Sequence, residues 1–208
     1  MLFNDSYHTI KAAVDAEFKD RGSKFIGFAF PINDEDEVKT ILHQIKKEHS
    51  QANHHCYAFR LTNDTSVFRA SDDREPSGSA GKPILGAILS KQITNVLVIV
   101  VRYFGGSLLG VPGLINAYKS AAELALNKAA IIEKTINEKI EITFTYENIN
   151  EVYQLLRSES ATIIHQQLEE ECLVTIEIRK NNVTPLIERF KNHPLLAYKS
   201  TWKIIENL

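Results

Sequence analysis

Glycine is missing from almost half of this chain. All nine glycines lie at or before Gly113, so the last 95 of 208 residues have none. Average usage of roughly 7% would place about six or seven there. Seven of the nine fall between Gly78 and Gly113. One glycine-dense stretch and one glycine-free tail point to two architectures in one chain.

Other scarcities exclude whole classes. Only two cysteines occur, Cys56 and Cys172, and they form no CxxC pair. A disulfide framework is excluded, and reduced thiols in a cytoplasmic protein are expected. The longest apolar run, Val96–Val101, has six residues. A membrane-spanning helix needs about 20, so no membrane association is expected. Met1–Tyr7 lacks a basic region followed by an apolar stretch, so no secretory leader is expected. A charge excess is missing too. The chain carries 24 Lys+Arg and 26 Asp+Glu, a net charge of −2. Residues 1–135 balance at +1 (16 against 15) and residues 136–208 at −3 (8 against 11). A strongly basic nucleic-acid footprint is therefore absent, and any polyanion must be met by a local patch.

What is present is a soluble-protein pattern, 44% hydrophobic and long enough for one or two domains. Residues 7–19 and 24–32 alternate in part, with a turn at Asp20–Ser23, and predict a hairpin. Asp34 stands three before Glu37 in capping-box spacing. Val38, Ile41, Leu42 and Ile45 then mark a helix face. Residues 54–61 alternate as a strand, paired through Asn63-Asp64 with Ser66–Ala70. Ser71–Gly81 is a loop by composition, and Lys82–Lys91 a short helix with Pro83 in its first turn. Val96–Val101 predicts a strand buried on both faces. A second glycine loop, Gly105–Gly113, leads to a helix whose Ala117, Ala121, Ala122 and Ala125 permit close packing.

From about Ile136 the periodicity changes. Strands at 138–146, 161–168, 172–179 and 196–204 alternate with two helices. Asn148 is the expected cap of the first, and His193-Pro194 stops the second. The order is β-α-β-β-α-β, a ferredoxin-like unit. The predicted domains are 1–135 and 136–208.

The glycine loops carry the strongest chemical signal. Gly78-Ser79-Ala80-Gly81 enters a helix, where bare amides and the helix dipole favour an anion. Ser77, Lys82, Arg69 and Arg74 surround it in sequence. Arg102 stands at the end of the buried strand, just before Gly105 and Gly106. The same glycines also suit tight turns, and both readings stand. Neither loop has P-loop or GxGxxG spacing, so no nucleotide is predicted. Asp72, Asp73 and Glu75 are expected to pair with nearby arginines. His54 and Cys56 share one strand face, which offers two ligands where structural zinc wants four. No metal and no cofactor are expected. Tyr146, Tyr153, Tyr198 and Trp202 could stack on bases, but core packing is the expectation, and Glu169–Glu171 opposes an RNA surface there.

The stretch Gly81-x2-Ile84-Leu85-x2-Ile88-x4-Ile93-x5-Ile99-Val100-x-Arg102-Tyr103-Phe104-Gly105-Gly106-x2-Leu109-Gly110 resembles the signature of the IMPACT/YigZ family. So do Ala52-x-His54-x-Cys56-Tyr57-Ala58 and Asp72-Asp73-x-Glu75-Pro76-Ser77-Gly78-x-Ala80-Gly81. Two positions depart: Arg74 stands where the family often has glycine, and Asn116 where it often has a basic residue. The resemblance implies an α+β protein. Its N-terminal domain would be similar to domain IV of elongation factor G, and its C-terminal ferredoxin-like domain to domain V. Eukaryotic members regulate translation and carry an added RWD domain, which is not expected here.

The resulting expectation is a translation-linked regulatory or binding protein. It would engage RNA or the ribosome through loops 71–82 and 102–113, with a regulatory protein partner also compatible. The alternative is an enzyme acting on a small anionic substrate at the same loops, with His54, Cys56, Asp73 and Glu75 as candidates. Strand addition to the C-terminal sheet is a third.

Overall fold

Six consecutive apolar residues have no polar face to offer water, so both faces of the strand they form must be covered. The computed structural model, which describes residues 5–62, 66–197 and 200–205, meets that demand at strand β6 (Val96–Tyr103). This strand lies at the centre of a five-stranded sheet. Its neighbours are β3 (Ser23–Pro31) and β4 (His54–Thr62), and β2 (Val14–Asp20) and β5 (Ser66–Ser71) form the edges. Every pairing is antiparallel.

Alternation along β6 divides its apolar residues between two layers. Val96, Val98 and Val100 pack under α2 (Gly81–Ser90) and α3 (Gly110–Lys128). Leu97, Ile99 and Val101 join the cluster under α1 (Glu35–Glu48). Helix α1 starts where the capping box predicted. The Asp34 carboxylate accepts from the Asp36 and Glu37 amides at 2.9 and 2.8 Å, and Glu37 reaches back to the Asn33 amide at 2.9 Å. The small face of α3 is fully buried at Ala117, Ala121, Ala122 and Ala125. It approaches β3 so closely that a Cβ on Gly27 would stand 2.4 Å from the Ala121 carbonyl oxygen.

Contacts divide the chain into His8–Lys134 and a second unit, Thr135 onward together with the segment ending at Tyr7. In the second unit, β8 (Asn137–Thr145), α4 (Ile149–Ser158), β9 (Thr162–Gln167), β10 (Glu171–Arg179), α5 (Lys180–Asn192) and β11 (Ser200–Ile205) follow the predicted β-α-β-β-α-β order. The sheet order is β11-β8-β10-β9, and each neighbouring pair is antiparallel. Ile140, Ile142 and Phe144 alternate on β8, and Cys172, Val174, Ile176 and Ile178 on β10. They meet Val152, Leu156, Leu186 and Phe190 of the helices. The N-terminal segment is tied to this unit by Asp5, whose carboxylate receives the Arg179 guanidinium through two bonds, at 2.5 and 2.8 Å.

Several local expectations are corrected. Residues 7–19 are not one strand. β1 (Ser6–Ile10) leaves to pair with β7 (Ile131–Thr135), an element that periodicity did not show. The Lys11 amide bonds the Ala130 carbonyl at 2.9 Å. Asn148 stands at the N-cap position of α4, but its side chain makes no capping bond. Its side chain donates to the Thr145 hydroxyl at 2.9 Å and holds a single 3₁₀ turn, Tyr146–Asn148. The last strand begins at Ser200, because residues 194–197 form a turn that sends Leu196 into the core. Trp202 packs against Phe190, while Tyr146 is exposed and Tyr153 bonds Gln166. The Asn63-Asp64 turn and Tyr198 lie outside the described residues.

Gly27→Ala is expected to destabilise the protein by at least about 2 kcal/mol, since it forces α3 off the sheet against backbone atoms. Urea unfolding of the variant measures this.

Candidate functional site

The sequence places three acids at the exit of β5, and each finds a different partner. The Asp72 carboxylate turns back under the first glycine loop. It accepts from the amides of Gly78, Ala80 and Gly81 at 2.8, 3.0 and 2.8 Å. The amides read as a cradle for an external anion thus hold the chain's own carboxylate, which also serves the open N-terminus of α2. Burial pushes the Asp72 carboxyl up, but the three amides outweigh it and hold it below its usual value. Ser79 is fully buried and donates to the Pro76 carbonyl at 2.6 Å, so it faces no ligand. Ser77 and Lys82 remain exposed.

Asp73 serves β4. Its Oδ2 accepts the His55 amide at 2.7 Å, and its carbonyl meets His54 Nδ1 at 2.8 Å. Asp73 and Arg74 both adopt left-handed backbone, at φ 38° and 73°. That conformation explains why a glycine suits position 74. Arg74 is exposed and donates to the Asn53 carbonyl at 3.2 Å.

Glu75 goes inward. Its Oε1 accepts from Arg102 Nη1 at 2.6 Å and from the Tyr118 hydroxyl at 2.7 Å, and His54 Nε2 lies 3.7 Å away. Arg102 is 5% exposed, with its guanidinium between the rings of Phe25 and Phe104 at 5.5 and 5.6 Å. The three acids were expected to pair with nearby arginines; Glu75 does so closely, with Arg102, and Asp73 only at 3.9 Å from Arg74, whereas Asp72 takes backbone amides instead. Tyr118 was missed. The available signal was a lone hydroxyl within the alanine face of α3, which must find a partner when buried.

The remaining candidates separate. Arg69 pairs with Glu35 at 3.3 Å and lies over Phe59, on the face covered by α1. It does not join Arg102, so the four basic candidates form no single patch. Cys56 is fully buried and donates to the Asp72 carbonyl at 3.0 Å. Burial pushes its thiol up to about 12, which leaves almost no thiolate at neutral pH. Of the candidates for the enzyme alternative, His54 and Glu75 meet beside Arg102, while Cys56 and the Asp73 carboxylate are engaged elsewhere. Gly105 packs on the Gly22 backbone so tightly that a Cβ there would stand 1.9 Å from Gly22 C. Gly106 is exposed.

A cleft of about 400 Å³ opens over this group. His54, Glu75 and Arg102 line it as polar groups, with Phe104, Leu108 and Val111 among its apolar walls. Phe104 is 45% exposed, Leu108 84% and Val111 46%. The opening turn of α3 also lines it, and no side chain caps that helix. Among the described residues, no group of three or more potential metal ligands occurs.

Residues 21–126 match the Impact N-terminal domain. An IMPACT family member of Haemophilus influenzae is 30% identical over 204 residues, covering 97% of this chain and 96% of its own. IMPACT family member YvyE of Bacillus subtilis is 32% identical over 152 residues, 73% of this chain and 70% of its own. A crystal structure of a hypothetical protein aligns over 98% of this chain and 99% of its own, at 25% identity and a TM-score of 0.73.

Two outcomes test the geometry. Asp72→Asn is expected to lose about 1–2 kcal/mol at pH 7, as for a lost helix cap. A carboxylate held low in the fold adds stability above its unfolded pKa and loses it as pH falls through the folded value. The gap between the two proteins should therefore shrink below about pH 4 in urea titrations. Cys56 should resist a thiol reagent at pH 8 in the native protein and react once it unfolds.

Proposed function

The chain belongs to the IMPACT family, and from that membership we propose that it is a translation-linked regulatory protein that works by binding. Its target is the ribosome or ribosomal RNA, and its contact surface is the second glycine loop with the cleft beneath it. The observation that carries this reading is the exposed rim. Phe104 and Leu108 project beside a polar floor of His54, Glu75 and Arg102, which Tyr118 braces from beneath. Large apolar side chains around a concave site mark contact surfaces. Phe104 over the Arg102 guanidinium is also a platform on which a base can stack.

Catalysis on a small anionic substrate is less well supported. Its nucleophile candidate, Cys56, is a buried neutral thiol, and the first-loop amides are filled by Asp72. The few exposed cations at the loops, Arg74 and Lys82, also bear on affinity. With one or two phosphate contacts, log K should fall against log salt with a slope of only about −1 to −2.

Co-sedimentation with ribosomes at about 50 mM salt, where phosphate contacts are strongest, tests the reading. The wild-type protein should pellet with ribosomes, and Phe104→Ala combined with Leu108→Asp should reduce the bound fraction at least fivefold. Absence of wild-type co-sedimentation, or an unaffected double variant, overturns it.

A further inference from the structure

Arg102 is incompletely used. A guanidinium offers five N–H donors in a fixed fork. Glu75 takes Nη1, while Nε is buried without a partner among the described residues. Arg102 lines the cleft, and Nε with Nη2 forms the edge that Glu75 leaves unused; Nε lies just beneath the surface, so an incoming acceptor reaches it by a shift of the side chain. That edge matches a carboxylate through two parallel N–H···O bonds. The uncapped opening turn of α3 lines the same cleft and adds amide donors and a positive dipole end.

His54 supplies the opposite polarity. Its Nδ1 faces a carbonyl oxygen, the Asp73 main chain, which can only accept. In the neutral ring the proton therefore sits on Nδ1, and Nε2 presents a bare lone pair in the cleft. Nε2 is 3.7 Å from Glu75 Oε1, and that oxygen is already occupied by Arg102 and Tyr118. One unfilled acceptor suits one N–H. An ammonium would bring three donors and leave some unmet between apolar walls. The walls, Leu108, Val111 and Leu114 among them, suit an aliphatic side chain.

We propose that the cleft captures the C-terminal residue of a polypeptide ending in an apolar side chain. The terminal carboxylate binds the Nε–Nη2 edge of Arg102 and the opening of α3. The amide N–H of the last residue donates to His54 Nε2, and its side chain fills the apolar walls. A phosphate fits less well, because its higher charge would lie beside Glu75 in a mostly apolar cleft. This inference rests on the reading that the cleft is the contact surface, and it adds the chemistry of what enters.

Calorimetric titration of the full chain with acetyl-Ala-Ala-Leu, the same peptide amidated at its C-terminus, and free leucine tests it. The free-carboxylate peptide should bind, and the amidated peptide and leucine should each bind at least tenfold more weakly. Val111→Trp, at a half-exposed position, should abolish peptide binding without lowering the melting temperature. Arg102→Lys keeps the charge but removes the fork, and should weaken binding at least tenfold. Equal binding of the amidated peptide, binding of leucine as tight as the peptide, or no binding at millimolar peptide overturns the inference. A failed titration with ribosome co-sedimentation intact overturns this inference alone and leaves the proposed function standing.

Discussion

Arg102, next to last in the central strand of the larger unit, lies inside the protein, and its charge must be answered there. A buried charge without a partner is among the costliest features a fold can contain, and losing one member of such a pair costs about 3–5 kcal/mol. Glu75 answers it at 2.6 Å, and Tyr118 from α3 joins the same oxygen. This one carboxylate ties together the loop after β5, the end of β6 and the third turn of α3. The path of residues 71–81 follows from it. To bring Glu75 inward the chain passes through left-handed backbone at Asp73 and Arg74, and Asp72 and Asp73 fasten the loop on either side.

The loop's chemistry follows from the same constraint. Glycine-rich turns before a helix expose amides that attract anions, and here the nearest anion is already covalently attached. Asp72 meets three of those amides without the entropic cost of capturing a free ligand. The first loop is therefore an internally satisfied support, and chemistry open to solvent moves to the second loop. There Gly105 packs on Gly22, and the chain on either side of it carries Phe104 and Leu108 at the cleft rim.

Much of the fold was legible because it rests on local pattern. The capping box at Asp34, the alanine face of α3, the six-residue apolar strand and the β-α-β-β-α-β periodicity each state a local requirement that the structure meets. The failures are nonlocal. β1 pairs with β7 across more than a hundred residues, and nothing in either segment names the other. Asn148 looks like a cap in sequence, yet its side chain bonds Thr145 instead. Among candidate residues, the loop acids were recognisable as partners for nearby arginines, but which acid meets which arginine was not. Arg69 was grouped with Arg102 by sequence proximity to the loops, although the strand directs it to the opposite face.

By itself the sequence determined most of the strands and helices, though not β7 or the extent of β1, and which family the chain resembles. Those are matters of periodicity, capping and spacing, readable one segment at a time. Only the tertiary structure decided which polar groups are consumed internally and which remain for a partner. Asp72 fills the first loop's amides, Cys56 is buried as a neutral thiol, and Arg102 keeps one edge unused. The physical reason is that hydrogen-bond satisfaction is a property of three-dimensional neighbours. Two identical side chains in a sequence become support or site according to what lies within about 3 Å of them.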